Sequence, residues 1–284
     1  MLKTVNSLSG GKTSSYIAKH YPADYNVFSL VRTDDKNCLF PDAKIRQEVS
    51  DRLGTDFIGT LEEDAIIYTM LDLEQHIGSK IDWVTGKTFD EATKRSTGKT
   101  YLPSLFRRFC TEELKVNPIK EFWYKEIREI VSMRIGFRAN ETSRANTMIK
   151  KCNKNGFQED KFVVGKTENG RNKWKTMEWR VPEFPLIKDN IYKDVVENYW
   201  KGKNVRFAFM NNCVGCFHRN EILLNKMSRL HPNKMEWFAS KERNSTNKAT
   251  WKENMTYDQI IAHNMQIELF EDDFNDCDSG YCGL

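Results

Sequence analysis

The sequence of 284 residues has no apolar run approaching the roughly 20 residues that a membrane-spanning helix needs. Its first residues lead directly into a predicted strand, without the segments of a secretory leader. It does not have the composition of a disordered chain either, because 39% of its residues are hydrophobic. These absences predict a globular protein of the cytoplasm rather than a membrane, secreted or disordered protein.

Neither sign of charge dominates the sequence, and the formal net charge of +4 only weakly indicates a polyanionic partner. Residues 165–170 lie between two strand-like runs in a basic stretch, which predicts a basic β-hairpin insertion. Basic side chains beside exposed aromatics suit nucleic acid, and a solvated hairpin with its rings on the core is an equal alternative. The stretch contains Lys150, Lys151, Lys154, Lys161, Lys166, Arg171, Lys173, Lys175 and Arg180, interleaved with Phe157, Phe162, Trp174 and Trp179.

The sequence contains seven cysteines, which in a cytoplasmic chain indicate metal or redox chemistry rather than a disulfide framework. Only Cys213 and Cys216, in the sequence Cys-Val-Gly-Cys, have the spacing of metal ligands by themselves. A turn of this length points both sulfur atoms the same way, so that they can hold one metal or one edge of a cluster.

Residues 9–14 have the composition of a phosphate-binding loop between a predicted strand and a predicted helix. Two adjacent glycines allow backbone N–H groups to approach an anion, and the start of a helix adds unpaired donors. The lysine of the loop adds a full positive charge. The predicted phosphate-binding residues are Ser9, Gly10, Gly11, Lys12, Thr13 and Ser14.

This loop is not a Walker loop, because Asn6 stands where that motif requires its first glycine. It resembles the PP-loop of the ATP pyrophosphatase and phosphoadenylyl sulfate (PAPS) reductase superfamily, usually SGGxDS, with Thr13 in place of the aspartate. The resemblance covers roughly residues 1–220 and implies an adenine nucleotide alpha hydrolase-type fold, which is α/β with a doubly wound, Rossmann-like parallel sheet. Residues 221–284 are then a C-terminal helical extension with an acidic tail.

The order of the next elements also predicts a parallel sheet. Residues 25–31 form an apolar strand, Asp42 opens a helix, and residues 55–60 are the expected next strand. The intervening Asp34 and Asp35 lie where open α/β sheets bind ligands. Their segment resembles the family's DTG…FPET sequence, which implies contact with adenine or ribose; a solvated loop is the alternative.

A second glycine turn follows a predicted strand at residues 129–135. The run from Gly136 to Arg144 resembles the superfamily signature G-x-R-x-x-E-S-x-x-R. Arg138 and Arg144 are predicted to bind phosphate or sulfate oxygens as planar forks. Glu141 either orients one of these arginines or helps to hold Mg²⁺. A surface loop with an arginine–glutamate pair is the alternative interpretation.

Cys110 is the expected third ligand beside Cys213 and Cys216, although by composition alone it is a small core residue. Its segment resembles the family's R-x-C-T-x-x-L/K-K-x-x-P sequence, and Arg107 and Arg108 predict a lowered thiol pKa. The resemblance implies an iron–sulfur cluster with four cysteines or with three and one open iron, and Zn²⁺ is the competing occupant. Candidate fourth ligands are Cys152, Cys277 and Cys282 for a cluster and His218 for zinc.

Two enzyme functions share the implied fold. In the first, ATP adenylylates a substrate with release of pyrophosphate, sulfur is then transferred, and Lys12, Mg²⁺ and Arg138 neutralise the phosphates. In the second, PAPS or adenylyl sulfate is reduced to sulfite by Cys282, since the sequence ends in the Cys-Gly-Leu of reductases. Lys12 favours ATP, because it suits the β- and γ-phosphates. A non-catalytic nucleotide sensor or nucleic-acid-binding module with structural zinc is the third class.

The expected partners follow from these functions. A nucleotide is the expected ligand of both enzyme functions and of a nucleotide sensor. The thiolation function implies tRNA or DNA as a substrate, and the reductase function implies a thioredoxin-like reductant. A homodimer is a further expectation, and no membrane partner is expected.

Overall fold

Strands and helices alternate along the chain in a computed structural model that describes residues 1–94, 97–104, 107–210 and 212–263. The described strands are β1 Lys3–Leu8, β2 Tyr25–Ser29, β3 Arg32–Thr33, β4 Gly59–Thr60, β5 Asp82–Val84, β6 Val131–Arg134, β7 Gln158–Lys166 and β8 Asn172–Glu183. The described helices are α1 Lys12–His20, α2 Ala43–Leu53, α3 Ala65–Ile77, α4 Phe89–Thr93, α5 Phe109–Thr111, α6 Asn117–Phe122, α7 Thr142–Ile149, α8 Pro185–Lys188, α9 Lys193–Trp200, α10 Glu221–Leu230, α11 Pro232–Arg243 and α12 Tyr257–Ala262. Glu112–Val116 and Trp123–Ile127 are π-helical turns before and after α6.

The central sheet has six strands in the order β5-β2-β1-β6-β8-β7. All its neighbouring strands run parallel except β7 and β8, which are antiparallel. The chain therefore moves outward from β1 in both directions, through β2 on one side and β6 on the other. The fold is α/β with a mostly parallel sheet, consistent with the predicted Rossmann-like class, and its strand order reverses at β1.

Alternate residues of the central strands face two separate hydrophobic cores, as the two-residue period of a strand requires. Leu8 and Phe28 pack into the core that contains residues of α1 and α3. Val5 and Val27 pack into the opposite core, which is built around Trp123. Both faces of the sheet are thus covered, and its ligands are expected at the carboxyl ends of the strands.

The prediction of a strand of the parallel sheet at residues 55–60 is wrong, both in the length of the strand and in the strand with which it pairs. Only β4 forms there, and it pairs antiparallel with β3 outside the central sheet. The preceding residues bond back to the end of α2 instead, with the Phe57 N–H donating to Ser50 Oγ at 2.9 Å. The strand beside β2 is β5, whose three residues are too few to show a period in the sequence.

The predicted hairpin is present as β7 and β8, which pair from Gln158 with Arg180 to Lys166 with Asn172. It is continuous with the central sheet, because the last residues of β8 pair in parallel with β6. Glu183 lies beside Arg134 in that register. One strand, β8, therefore belongs both to the hairpin and to the central sheet.

The C-terminal helices share a third hydrophobic core with earlier parts of the chain. Helix α10 begins the predicted helical extension. Leu224, Phe238 and Tyr257 of α10, α11 and α12 pack in one cluster with Val31 and Leu61. The division of the chain at residue 220 stays a prediction. None of the helices in the described residues is both long and apolar enough to cross a membrane.

Candidate nucleotide-binding site and cysteine group

The loop of residues 9–14 joins β1 to α1 at the point where the strand order reverses. Gly10 has a φ of 80°, and a Cβ at this position would lie 2.6 Å from Ile66 Cγ2. The Ser14 hydroxyl accepts a hydrogen bond from the Ser9 N–H at 3.2 Å and donates one to the Gly11 carbonyl oxygen at 3.1 Å. The loop therefore owes its shape to its own glycine and serine residues.

The start of α1 is suited to an anion. Gly11 caps the helix without a side chain, and its first turn contains no acidic residue. The first N–H groups of a helix lack partners within it and carry a partial positive charge. The predicted phosphate cradle therefore has the donors and the charge that a phosphate group requires.

Lys12 forms an ion pair with Glu197 on α9. Helix α9 also contacts the loop through Trp200, whose indole N–H donates to the Lys12 carbonyl oxygen at 3.0 Å. The Lys12 and Glu197 side chains are 36% and 35% exposed. The ammonium group thus lies at the rim of the cradle, where an anionic ligand can compete with the glutamate.

The second glycine turn lies directly against this loop. A Cβ at Gly136 would lie 3.5 Å from Thr13 Cγ2 and 3.6 Å from the Ser14 backbone nitrogen. The reason is topological, because β1 and β6 are parallel neighbours and the two turns follow their carboxyl ends. Two motifs that are distant in the sequence are thus brought together.

Glu141 holds both arginines of the second motif. Its Oε2 accepts from the backbone N–H of Arg138 at 2.8 Å and from its Nε at 3.2 Å, while Oε1 accepts from Arg144. The Arg144 guanidinium also stacks on Phe137, 4.1 Å from the ring centroid. Because both carboxylate oxygens bind arginine, this geometry favours the orienting role of Glu141 over the Mg²⁺ role.

Asp34 and Asp35 stabilise the segment that follows β3. The Thr88 hydroxyl donates to Asp34 Oδ2 at 2.7 Å, and Asp35 Oδ1 accepts from the Asn37 N–H at 2.8 Å. In the described part of the chain, neither carboxylate has a hydrogen bond to residues 9–14. Their contact with adenine or ribose stays a prediction.

The Cys-Val-Gly-Cys turn is fixed to two distant segments. Cys213 forms an antiparallel bridge with Glu62, and the turn closes with a 3.0 Å hydrogen bond from the Cys216 N–H to the Cys213 carbonyl oxygen. The Tyr257 hydroxyl donates to the Gly215 carbonyl oxygen at 3.0 Å. Residues beyond 220 therefore hold the turn in place.

Cys110 lies near enough to this turn to affect the charge balance at Cys213, although the three predicted ligands do not surround a common point in the described residues. Burial raises the pKa of Cys213 well above its usual range, and the nearby Glu62, Cys216 and Cys110 also raise that pKa. The expectation of a lowered pKa for Cys110 is wrong: burial raises its pKa, and the positive charge of Arg108 only partly offsets this effect. All three side chains are free thiols.

The donor chemistry beside these thiols suits a cation. Glu62 is buried, and its Oε1 accepts from Lys115 Nζ at 2.8 Å, whereas its Oε2 has no hydrogen-bond partner. A buried carboxylate oxygen is costly unless it is paired or coordinates a metal. No three cysteine, histidine or acidic side chains among the described residues stand in position for a metal ion, so binding would require the sulfurs to move.

The candidate fourth ligands differ in position. Cys152 lies at the hairpin, bridged to Gln158 and near Arg180, away from the Cys-Val-Gly-Cys turn. Cys277 and Cys282 lie outside the described residues, so the predicted catalytic role of Cys282 stays a prediction. Burial lowers the pKa of His218 to about 4, so this imidazole is neutral at pH 7, as a metal ligand must be.

An open cleft of about 660 Å³ lies beside α5, which carries Cys110. Lys87, Arg107 and Arg108 line it together with Glu113 and other acidic side chains. It begins directly after β5 and therefore opens at the same edge of the sheet as the phosphate loop. Its lining includes Phe109, the residue before Cys110, but none of Cys110, Cys213 and Cys216.

Two acidic residues of the site, Glu197 and Glu62, were not predicted. Neither belongs to a recognisable motif, and each meets its lysine partner only through the folded chain. Comparisons with protein-family models, with curated proteins and with solved structures found no match. The site is therefore interpreted from its own geometry and from the sequence motifs.

Proposed function

We propose that this chain is an ATP-dependent PP-loop enzyme that adenylylates a substrate, releases pyrophosphate and serves sulfur transfer to a nucleic acid. The observation that carries this proposal is the contact between two predicted motifs at the reversal point of the sheet. There, Gly136 packs against Thr13 and Ser14 at the start of α1. Adenine-nucleotide enzymes with open α/β sheets bind their ligands at this position.

The proposed roles of the residues follow from their charges. The N–H groups at the start of α1 and the Lys12 ammonium bind the phosphates of ATP, and Mg²⁺ arrives bound to the triphosphate. A substrate oxygen attacks the α-phosphorus, and the bond to pyrophosphate breaks, with its electron pair leaving on pyrophosphate. Arg138 and Arg144, oriented by Glu141, stabilise the charge that develops on the phosphate oxygens.

Cys110, Cys213 and Cys216 would hold the metal centre of this enzyme, with Glu62 beside them. An iron–sulfur cluster would supply the means to carry sulfide to the activated substrate, whereas Zn²⁺ would serve a structural role. The unpartnered Glu62 oxygen supports a cation at this place. Burial raises the pKa of the Cys110 and Cys213 thiols, so these two stay protonated until a cation displaces their protons.

Two measurements test the nucleotide role. The first is calorimetric titration with ATP, and the second is pyrophosphate release in the presence of tRNA or DNA. We expect Lys12→Ala to weaken ATP binding about 10- to 100-fold, because a charge-assisted bond is lost. Lys19→Ala, in the last turn of the same helix, is the matched control and should bind ATP normally. Equal ATP binding by wild type and Lys12→Ala would contradict the proposal, and sulfite formation from PAPS would favour the reductase function.

Anaerobic purification with metal analysis and a UV–visible spectrum tests the metal centre separately. Brown protein with iron and labile sulfide supports the cluster. Colourless protein with stoichiometric zinc removes the sulfur-transfer part and leaves the adenylylation part to the ATP measurements.

A further inference from the structure

We propose that the outer half of the β7–β8 hairpin is a docking surface for nucleic acid, and that the bound molecule must be long enough to reach the nucleotide site. The first part rests on the hairpin alone. The length requirement rests on the proposed function, because it concerns the distance between the hairpin and the phosphate loop.

The charge of the hairpin is concentrated in residues 161–175. This segment contains five basic residues and one acidic residue, so its net charge of 5 − 1 = +4 equals the formal net charge of the whole chain. All five basic side chains belong to exposed residues, and none of them forms an ion pair with another described residue. They are Lys161, Lys166, Arg171, Lys173 and Lys175.

Trp174 is exposed in the middle of this charge. Its residue is 58% exposed, and the residue opposite it on β7 is Val163, at 38%. Phe162 and Trp179 of the same hairpin are buried against Trp123, so the expectation of rings on the core holds for them. Lysines alone could protect an edge strand from pairing. The exposed indole shares its face of the hairpin with Lys161 and Lys166, whose partners Thr176 and Asn172 each lie two residues from Trp174. An exposed ring with basic side chains on the same face is what stacking on a base requires.

The hairpin is far from the phosphate loop. In the register of the sheet, Glu183 of β8 pairs with Arg134 of β6, just before the turn at Gly136. Trp174 precedes Glu183 by 183 − 174 = 9 residues on the same strand, which is about 30 Å at roughly 3.3 Å per residue. The nucleotide site lies at the carboxyl ends of the parallel strands, whereas Trp174 lies beyond their amino ends.

This distance selects the class of partner. A duplex rises about 3.4 Å per base pair, so roughly nine base pairs are needed to span 30 Å. A mononucleotide or a very short oligonucleotide cannot contact both places on one chain. The fitting partner is a folded RNA, or a duplex of more than about nine base pairs with a single-stranded end, because Trp174 needs an unpaired base to stack on.

Fluorescence anisotropy in the absence of ATP tests the surface, with labelled tRNA and with labelled duplexes of 6, 12 and 24 base pairs that each carry the same single-stranded overhang. We expect binding that falls steeply between 50 and 200 mM salt, about 10-fold or more weaker for Lys161→Glu/Lys166→Glu and about 5-fold or more weaker for Trp174→Ala. Lys36→Glu/Lys44→Glu is the matched control, because both lysines are exposed and neither belongs to the hairpin. Equal binding by the hairpin variants and the control would overturn the proposal.

Stimulation of pyrophosphate release tests the length requirement. At saturating concentrations, the 12- and 24-base-pair duplexes or tRNA should stimulate release and the 6-base-pair duplex should not. Equal stimulation by all lengths would overturn the requirement. Lys12→Ala should keep its nucleic-acid affinity, so failure of the nucleotide function and failure of the docking surface give different results.

Discussion

Lys12 of the phosphate loop and Glu197 of α9 form an ion pair that spans the site. The two residues are far apart in the sequence, and the packing of α9 against α1 brings them together. The Glu197 carboxylate binds the ammonium group that, in the proposed function, binds a phosphate. Binding of a nucleotide must therefore replace this contact.

Glu197→Gln should raise the affinity for ATP, because the lysine no longer has to leave a carboxylate. An ion pair of this exposure contributes roughly 0.2–1 kcal/mol, so the expected gain is about 1.5- to 5-fold in the dissociation constant. Calorimetric titration measures it, with Asp194→Asn on the same helix as the control. A loss of affinity in Glu197→Gln would mean that the glutamate positions Lys12 for the ligand.

Gly10→Ala should destabilise the protein, whereas Gly136→Ala should not. Alanine at position 10 would have a positive φ and meet Ile66, at a combined cost of roughly 2 kcal/mol. At position 136 the added Cβ meets only ordinary contacts, at 3.5 Å or more. Denaturant unfolding measures both free energies. Equal stability of Gly10→Ala and wild type would show that the loop adopts another conformation.

Gly215→Ala should loosen the cysteine turn. A Cβ there would lie 2.4 Å from Phe238 Cγ, and the resulting shift should cost roughly 1–3 kcal/mol of unfolding free energy. Thiol labelling with mass spectrometry should show faster modification of Cys213 and Cys216. Cys38 is the internal control, because burial raises the pKa of its thiol to about 12. If Cys213 and Cys216 react no faster than in wild type, the contact with Phe238 does not hold the turn.

Asp90 should make the protein sensitive to acid. Burial tends to raise the pKa of Asp90, but the bonds from Lys241, Thr33 and the Asp34 N–H outweigh it and lower the pKa. The folded state therefore favours the ionised form. Its stabilisation is present above the unfolded pKa of about 3.9 and is lost as the pH falls through the folded value.

Asp90→Asn tests this linkage. At pH 7 the variant should be less stable by roughly 2 kcal/mol, because charge-assisted bonds are weakened. The difference from wild type should shrink as the pH is lowered from 6 towards 3, as measured by urea midpoints. Asp258→Asn is the control and should change stability little, because Asp258 pairs with Arg243 and is more exposed than Asp90. A difference that does not depend on pH would contradict the role of the charge.

The features that the sequence predicts well are those that local chemistry determines. Asp42 caps α2 with its carboxylate, and Gly54 ends the helix with a φ of 64°, as the residue types indicate. The two glycine turns are equally local, and the parallel pairing of β1 with β6 then brings them together. The short β5 and the positions of Glu62 and Glu197 depend on long-range packing, which leaves no periodic pattern in the sequence.

The Cys-Val-Gly-Cys turn also has a consequence for the order of events during synthesis of the chain. Its contacts reach back to Leu61, whose carbonyl oxygen accepts from the Val214 N–H at 2.8 Å, and forward to Tyr257. Contacts of such long range form late, because the intervening chain must first be ordered. On the ribosome, the thiols can take their final positions only after Tyr257 has emerged. A nascent chain stalled before this point lacks the bond from Tyr257 to the turn, which leaves its thiols less protected from oxidation.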